Sequence, residues 1–296
     1  MQNPIIEEQR ELGAEETVFS YQGRVWRRFW RNPLTIAGII GLGFLVLFSF
    51  VGPLFYRVNP LTPHLAHMMQ PPGGRFPLGT DDLGRDYLAR VMVGGQSSII
   101  VGFAAALVSM LVGILYGMVS AMSTRWIDTI MMRIVDIILS VPPLFILLFL
   151  DAVFRPSVVI MVFILASTAW LQVARLVRAE VMSLKTRVYV EAAQALGAST
   201  WRIMVRHLFP NFMGTVLVAG TFAVADSILA IATLSFLGLG LPPPAPNWGA
   251  DLANAMNYLY QPSWWLVYPP GLAILLAELS INFLGDGLRQ AFDTRM

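Results

Sequence analysis

Two acidic side chains lie deep in apolar runs of this sequence and are the first candidates for chemistry. Asp226 and Glu278 each sit near the middle of a stretch long enough to cross a bilayer. A carboxylate there is costly and normally faces a bundle interior or a water-filled cavity. It can line a pathway, relay a proton or bond internally. The other acidic residues have plainer readings. Asp136, three residues from Arg133, reads as an ion-paired helix-end group, Asp151 as a group that reaches water, and Asp286, near Arg289, as a second helix-end group. Asp81, Asp82 and Asp86 with Gly84 are spaced like part of a calcium loop. Neither Asp81 nor Asp82 has the Glu that such a loop needs at its twelfth position. A turn-rich loop with local Asp–Arg pairing is the expectation.

Several chemistries are not encoded. A phosphate-binding P-loop needs Gly-x-x-x-x-Gly-Lys-Ser/Thr. The one lysine, Lys185, follows Met182-Ser183-Leu184 and has no such glycines. The three histidines, His64, His67 and His207, have no nucleophilic serine elbow nearby. With no cysteine, disulfide and thiolate chemistry are excluded. We therefore expect no catalytic residue, no metal site and no cofactor in this chain. A formal charge of +2 is too small to argue for nucleic acid, and 56% hydrophobic against 13% charged residues is a membrane composition.

The elements that must position these groups are apolar helices. Six stretches, roughly 34–56, 98–122, 130–151, 157–177, 211–237 and 264–285, are each about long enough to span a bilayer. Pro33 suits the first turn of the first helix. Pro142–Pro143 in the third and Pro269–Pro270 in the sixth should kink or break those helices. Fifteen Arg and Lys residues fall on one side and five (Arg57, Arg75, Arg85, Arg90, Arg155) on the other if the N-terminus is inside, so the positive-inside rule predicts N-in, C-in. Residues 1–33 form a polar cytoplasmic segment. Its acidic start (Glu7, Glu8, Glu11, Glu15, Glu16) precedes an interfacial anchor of Arg24, Arg27, Arg28 and Arg31 with Tyr21, Trp26, Phe29 and Trp30. Residues 34–296 form one membrane domain, with no evident repeat.

One polar stretch interrupts the apolar pattern, Val190 to Asn211. Glu191 to Leu196 are strong helix formers. Gly197 should stop that helix, Ser199 should cap a second, and Pro210 should end it. In the second helix Trp201, Met204, Val205 and Leu208 share a face, with Arg202 and Arg206 on another. A short amphipathic helix of this kind fits a protein groove or lies on lipid. With the N-terminus inside, it is cytoplasmic.

Glu191-Ala192-Ala193, then Gly197, then Pro210, resembles the EAA loop of ABC importer permeases. Further motifs resemble the C-type permease of the dipeptide/oligopeptide/nickel importers. These are Leu78-Gly79-Thr80-Asp81, Leu83-Gly84-Arg85-Asp86, Leu234 to Gly240 (LSFLGLG), Asn247-Trp248-Gly249, and Asn282 to Arg289 (NFLGDGLR). The resemblance runs from about Arg24 to the end. It implies an all-α membrane protein with six transmembrane helices and a coupling helix between helices four and five that docks on an ATPase subunit. Its coupling residues would be Glu191, Ala192, Ala193, Leu196, Gly197, Ala198, Trp201, Arg202, Met204, Val205 and Pro210, with Trp201 and Met204 filling an apolar groove. The implied partners are a B-type permease, two ATPase subunits that bind ATP and Mg, and an extracytoplasmic solute-binding protein. The implied place is a bacterial or archaeal plasma membrane, the implied cargo di- or oligopeptides, with nickel and opines as the family's other substrates.

Two departures stand out. His207-Leu208-Phe209-Pro210 replaces the family's Ile-x-Leu-Pro, and Ile231 stands where the subfamily carries a Glu. Glu278 is expected to stand in for that carboxylate across the helix pair. The rival from another class is a proton-driven carrier with Asp226 and Glu278 as its relay. It accounts for the carboxylates but not for the Glu-Ala-Ala loop.

Overall fold

A computed structural model describes residues 26–154 and 157–292, and among these it contains helices and no strand. The acidic start, with Arg10, Tyr21, Arg24, Arg155 and Arg295, lies outside the described residues. Five helices are long and apolar enough to cross a membrane. They are α1 (Pro33–Phe55), α2 (Tyr87–Met122), α5 (Val158–Leu184), α7 (Thr200–Phe236) and α9 (Trp264–Phe292). A bent pair, α3 (Arg125–Leu139) and α4 (Pro143–Val153), meets at 81° and makes a sixth candidate span when the two are counted as one crossing. Two short helices lie between the long ones, α6 (Val188–Ala195) between α5 and α7, and α8 (Trp248–Met256) between α7 and α9; a helical turn over 26–31 and a 3-10 turn at Leu65–His67 are also present.

Local sequence accounts for most of these boundaries. Asn32 caps α1 by accepting from the Leu34 amide at 2.9 Å, and Pro33 follows as the first helical residue. Asp86 caps α2 by accepting from the Ala89 amide at 2.9 Å. Tyr56, just past α1, donates to the other oxygen of Asp86 at 2.6 Å and so ties the two helix ends together. Burial, this hydrogen bond and the Asp86 charge push the Tyr56 hydroxyl well above its ordinary pKa, so it remains a donor.

Pro142–Pro143 break the third span as expected. The second proline pair does not break the sixth, and α9 runs through Pro269 and Pro270 as one helix. Pro270 has no N–H for the Leu266 carbonyl one turn back. The Tyr87 hydroxyl donates to that carbonyl instead, at 2.6 Å. Two further boundaries differ from expectation. α2 begins at Tyr87 rather than near 98, because the Asp86 cap starts the helix before the apolar run does. Its 36 residues extend about 54 Å, beyond a hydrocarbon core of about 30 Å. α7 is not interrupted at Pro210 but joins the polar stretch to the fifth span.

The core is organised around α2, which packs against both α5 and α7. Gly113 and Gly117 allow the α2–α5 approach. A Cβ at Gly113 would lie 2.5 Å from Val173, and one at Gly117 2.5 Å from the Ala174 carbonyl oxygen. This is the small-xxx-small packing of membrane helices, where dispersion between close backbones replaces the hydrophobic drive.

Candidate functional site

The polar stretch folds as its sequence predicts up to Arg202. Gly197 takes φ +80°. Its amide donates to Gln194 at 2.9 Å and the Ala198 amide to Ala193 at 3.0 Å. That pair of bonds is a Schellman cap. A Cβ on Gly197 would meet nothing within 4 Å, so backbone angle and not space requires glycine here. Ser199 then caps the next helix, accepting from the Arg202 amide at 3.3 Å.

Beyond Arg202 the expectation fails in one respect. Ile203–Leu208 form a π-helical turn, with the Phe209 amide donating to Met204. The wider turn breaks the spacing of three and four residues on which the expected face rested. Ile203, Met204 and Leu208 point inward and are buried, while Trp201 and Val205 point outward. Met204 therefore packs within its own chain and is not free to fill a partner's groove. The same turn explains why Pro210 does not end the helix. The proline enters at the first turn of the resumed α-helix. The His207 carbonyl near it is bonded by the Asn211 side-chain amide.

What remains outside is a compact exposed surface. Leu196 is 89% exposed and Trp201 70%, and Glu191, Ala192, Arg202 and Pro210 are also exposed. Ala193 and Ala198 are half-buried. The inward side is a hydrophobic cluster. Val190 of α6 and Ile203, Met204 and Leu208 of α7 pack with Met118 and Ala121 of α2 and Val173, Val177 and Val181 of α5. The exposed segment is thus seated on the ends of two long helices.

Farther along the bundle, a cavity of about 450 Å³ opens between the α3–α4 break, α5 and α7. Leu139 and Pro143 line it from the break, Thr168 and Gln172 from α5, and Asp226 and Ser227 from α7. The Asp226 side is exposed. Glu278 of α9 lies within electrostatic reach of Asp226. One of its oxygens accepts from Asn282 at 3.3 Å, and the other is buried without a hydrogen-bond partner. Neither carboxylate has an ion-pair partner among the described residues. Ile231 is elsewhere, buried with Val101, Leu147 and Leu165 in a cluster to which α9 contributes no described residue. Glu278 therefore does not take the place vacated at Ile231, though its helix packs against the one that carries Asp226. Residues 226 and 231 are five apart and face different neighbours around one helix.

The opposite end of the bundle holds a network that sequence reading found only in part. Local Asp–Arg pairing is present, with Arg85 donating to Asp81 at 2.6 Å. The expected loop did not include its distant partner. Arg90 bridges Asp81 at 3.6 Å and donates through Nε to Asp251 of α8 at 3.1 Å. Both Arg90 and Asp251 are buried. The Asn247-Trp248-Gly249 motif is what seats α8. Asn247 caps it by accepting from the Ala250 amide at 2.8 Å. Trp248 is fully buried and donates to the Val91 carbonyl at 2.9 Å. A Cβ on Gly249 would lie 2.3 Å from the Ala232 carbonyl oxygen.

Asp136 is the ion-paired helix-end residue expected, though its partner is Arg175 of α5 and not Arg133 of its own helix. One plain reading is corrected. Asp151 does not reach water. It is 3% exposed and accepts from the Gly240 amide at 3.2 Å, because the sharp break turns α4 under the loop after α7. Asp286 is exposed, as a helix-end group should be.

Comparison with known proteins agrees with this architecture. Residues 109–296 match the family described as binding-protein-dependent transport system inner membrane component, and residues 20–72 the N-terminal TM domain of oligopeptide transport permease C. The chain is similar to the oligopeptide transport system permease protein OppC of Bacillus subtilis (strain 168), 38% identical over 96% of this chain and 94% of that protein. It is 35% identical to the dipeptide transport system permease protein DppC of the same organism, over 94% and 87%. It is 36% identical to the di/tripeptide transport system permease protein DppC of Pseudomonas aeruginosa (strain UCBPP-PA14), over 92% and 91%.

Proposed function

We propose, from the premise that this chain belongs to the family of inner-membrane components of binding-protein-dependent transport systems, that it is the C-type permease of an ABC importer for di- or oligopeptides. In this reading it forms half of the translocation pathway, beside a B-type permease, and sits in the plasma membrane with both termini inside. Trp26, Phe29 and Trp30, whose rings lie within 5.9 Å of one another, anchor the N-terminal segment at the interface. ATP and Mg are held by two separate ATPase subunits, and an extracytoplasmic binding protein delivers the peptide. The relatives' names support the cargo, since they are named for oligopeptides, dipeptides and di/tripeptides.

The observation that carries the coupling role is the segment from Val188 to Leu208. Its outer surface offers Leu196 and Trp201 to a partner while its inner surface is welded to α2 and α5. Glu191 and Arg202 are exposed beside them to bond or ion-pair with the ATPase. A docked ATPase that binds ATP more tightly in one arrangement would shift the whole permease toward that arrangement. Asp226 and Glu278, on and beside the cavity, are the pathway residues of this reading.

The absence of native cysteine makes the test direct. A single Cys at Ala195 or Ser199 is paired with single cysteines on the ATPase in the assembled transporter. We expect a disulfide whose yield changes when ATP is added. No crosslink from either position in a folded, assembled transporter, together with uptake abolished by an uncoupler but indifferent to ATP depletion, would replace the ABC reading with the proton-driven carrier.

A further inference from the structure

The bent helix pair is attached to the rest of the chain in an unusual way. Helix α3 is apolar on its open face, with Trp126, Ile127, Ile130, Ile134 and Ile137 exposed, and only Asp128 and Val135 are buried. Its links to the bundle are mainly polar. Asp128 accepts from Arg178 of α5 through both oxygens, Nε and Nη2 each at 2.6 Å, and from Ser120 of α2 at 2.6 Å. Asp136 pairs with Arg175 one turn up the same helix. Tyr116 of α2 donates to the Met131 carbonyl at 2.9 Å. A bidentate Arg–carboxylate pair fixes orientation as well as distance, which a hydrophobic contact does not.

The two ends of α3 meet functional regions already described. At one end, α5 runs from Arg178 through Lys185, whose ammonium donates to the Ala121 carbonyl at 2.9 Å, directly into α6. At the other end, Leu139 and Pro143 form the wall of the cavity at the 81° break. We infer that the Asp128–Arg178 pair, with Ser120, is a positioning clasp that makes α3 travel with the α2–α5 base of the coupling segment, so that the α3–α4 break is the moving wall of the cavity. The inference rests on the coupling reading above and adds to it the residues that carry the motion. Asp128 and Arg178 touch no substrate in this role; they act through the position of Leu139 and Pro143.

The test uses the complete transporter in proteoliposomes, with peptide uptake and ATP hydrolysis measured together. Spin labels at Leu139 of α3 and Ala169 of α5, both of which line the cavity, report the distance between the two helices there with and without ATP. The Ser199 crosslink is followed in a parallel, unlabelled preparation of the same variant. In the otherwise native transporter the label distance should change with ATP. In Asp128→Asn the crosslink should still respond to ATP, the label distance should no longer change, and peptide transported per ATP should fall about tenfold, within the range of coupling between linked sites. If the lone Arg178 charge prevents folding, the neutral pair D128N/R178Q removes that charge and should show the same loss. Arg178→Lys, which keeps the charge but not the two-pronged contact, should fall between. A label distance that still responds to ATP in Asp128→Asn, or one that never responds in the native transporter while the crosslink does, overturns the clasp and leaves the coupling segment standing. A silent crosslink removes the coupling segment itself, and the clasp with it.

Discussion

The end of the bundle carrying α8 buries its charges, while the end carrying α6 exposes its apolar side chains. At the first, Asp81, Arg85, Arg90 and Asp251 meet inside the protein, and Trp248 is enclosed with its N–H bonded. At the second, Leu196 and Trp201 project from a segment held by a glycine cap and a π-helical turn. The contrast separates two uses of the same chemistry. At the first, the charges are desolvated and paired within the chain, with Arg90 Nη1 and Asp251 Oδ2 left without a hydrogen bond. Groups left exposed and apolar on a well-capped segment gain free energy only when another surface covers them. The α8 end is paired within the chain, and the α6 end leaves an apolar surface open, as the coupling role proposed above requires.

Substitution at three positions tests that contrast. Asp251→Ala should have the largest effect on the fold, because it strands the buried Arg90 without its main partner. Losing one member of a buried pair costs about 3–5 kcal/mol, to be read as a lowered midpoint in thermal or denaturant unfolding of the purified protein. An unchanged midpoint would mean that α8 is held by Trp248 and not by charge. Gly197→Ala comes next. The left-handed conformation costs a residue with a Cβ about 1–2 kcal/mol, and no neighbouring atom adds to it. Hydrogen exchange at the 197 and 198 amides should quicken about tenfold or slightly more, with the global unfolding midpoint hardly moved; equal protection would remove the Schellman cap from the account. Trp201→Ala should have the smallest effect on stability, within about 0.5 kcal/mol for an exposed side chain, yet should depress ATP-driven uptake. Protein level and uptake falling in parallel would assign Trp201 a structural role instead.

The legible parts of the site were those governed by near neighbours in the chain. Gly197 and Ser199 announce their caps because the groups they satisfy lie within four residues. The break at Pro142–Pro143 is equally local, since a missing N–H and a ring clash need no tertiary context. The illegible parts involved partners far along the chain. Nothing near Pro270 reveals that Tyr87 will take over its bond, and nothing near Asp128 points to Arg178, fifty residues on. Met204 was misplaced because a π-helical turn changes the period by which faces are counted, and the sequence around it carries no mark of that turn. Asp151 was misplaced for a related reason: its distance from water depends on where the loop after α7 folds.

Composition and hydropathy were enough by themselves to determine an all-helical membrane protein, because apolar run lengths and capping residues act locally and need no knowledge of packing; the family was legible only through the resemblance of its motifs, which the comparisons bear out. Tertiary structure alone decided which side of the polar segment is buried, where the carboxylates lie relative to Ile231, and how the bent helix pair is tied to the bundle. Each of those depends on helices meeting at particular rotations about their axes, and a rotation of one helix by a single residue, about 100°, exchanges a buried face for an open one.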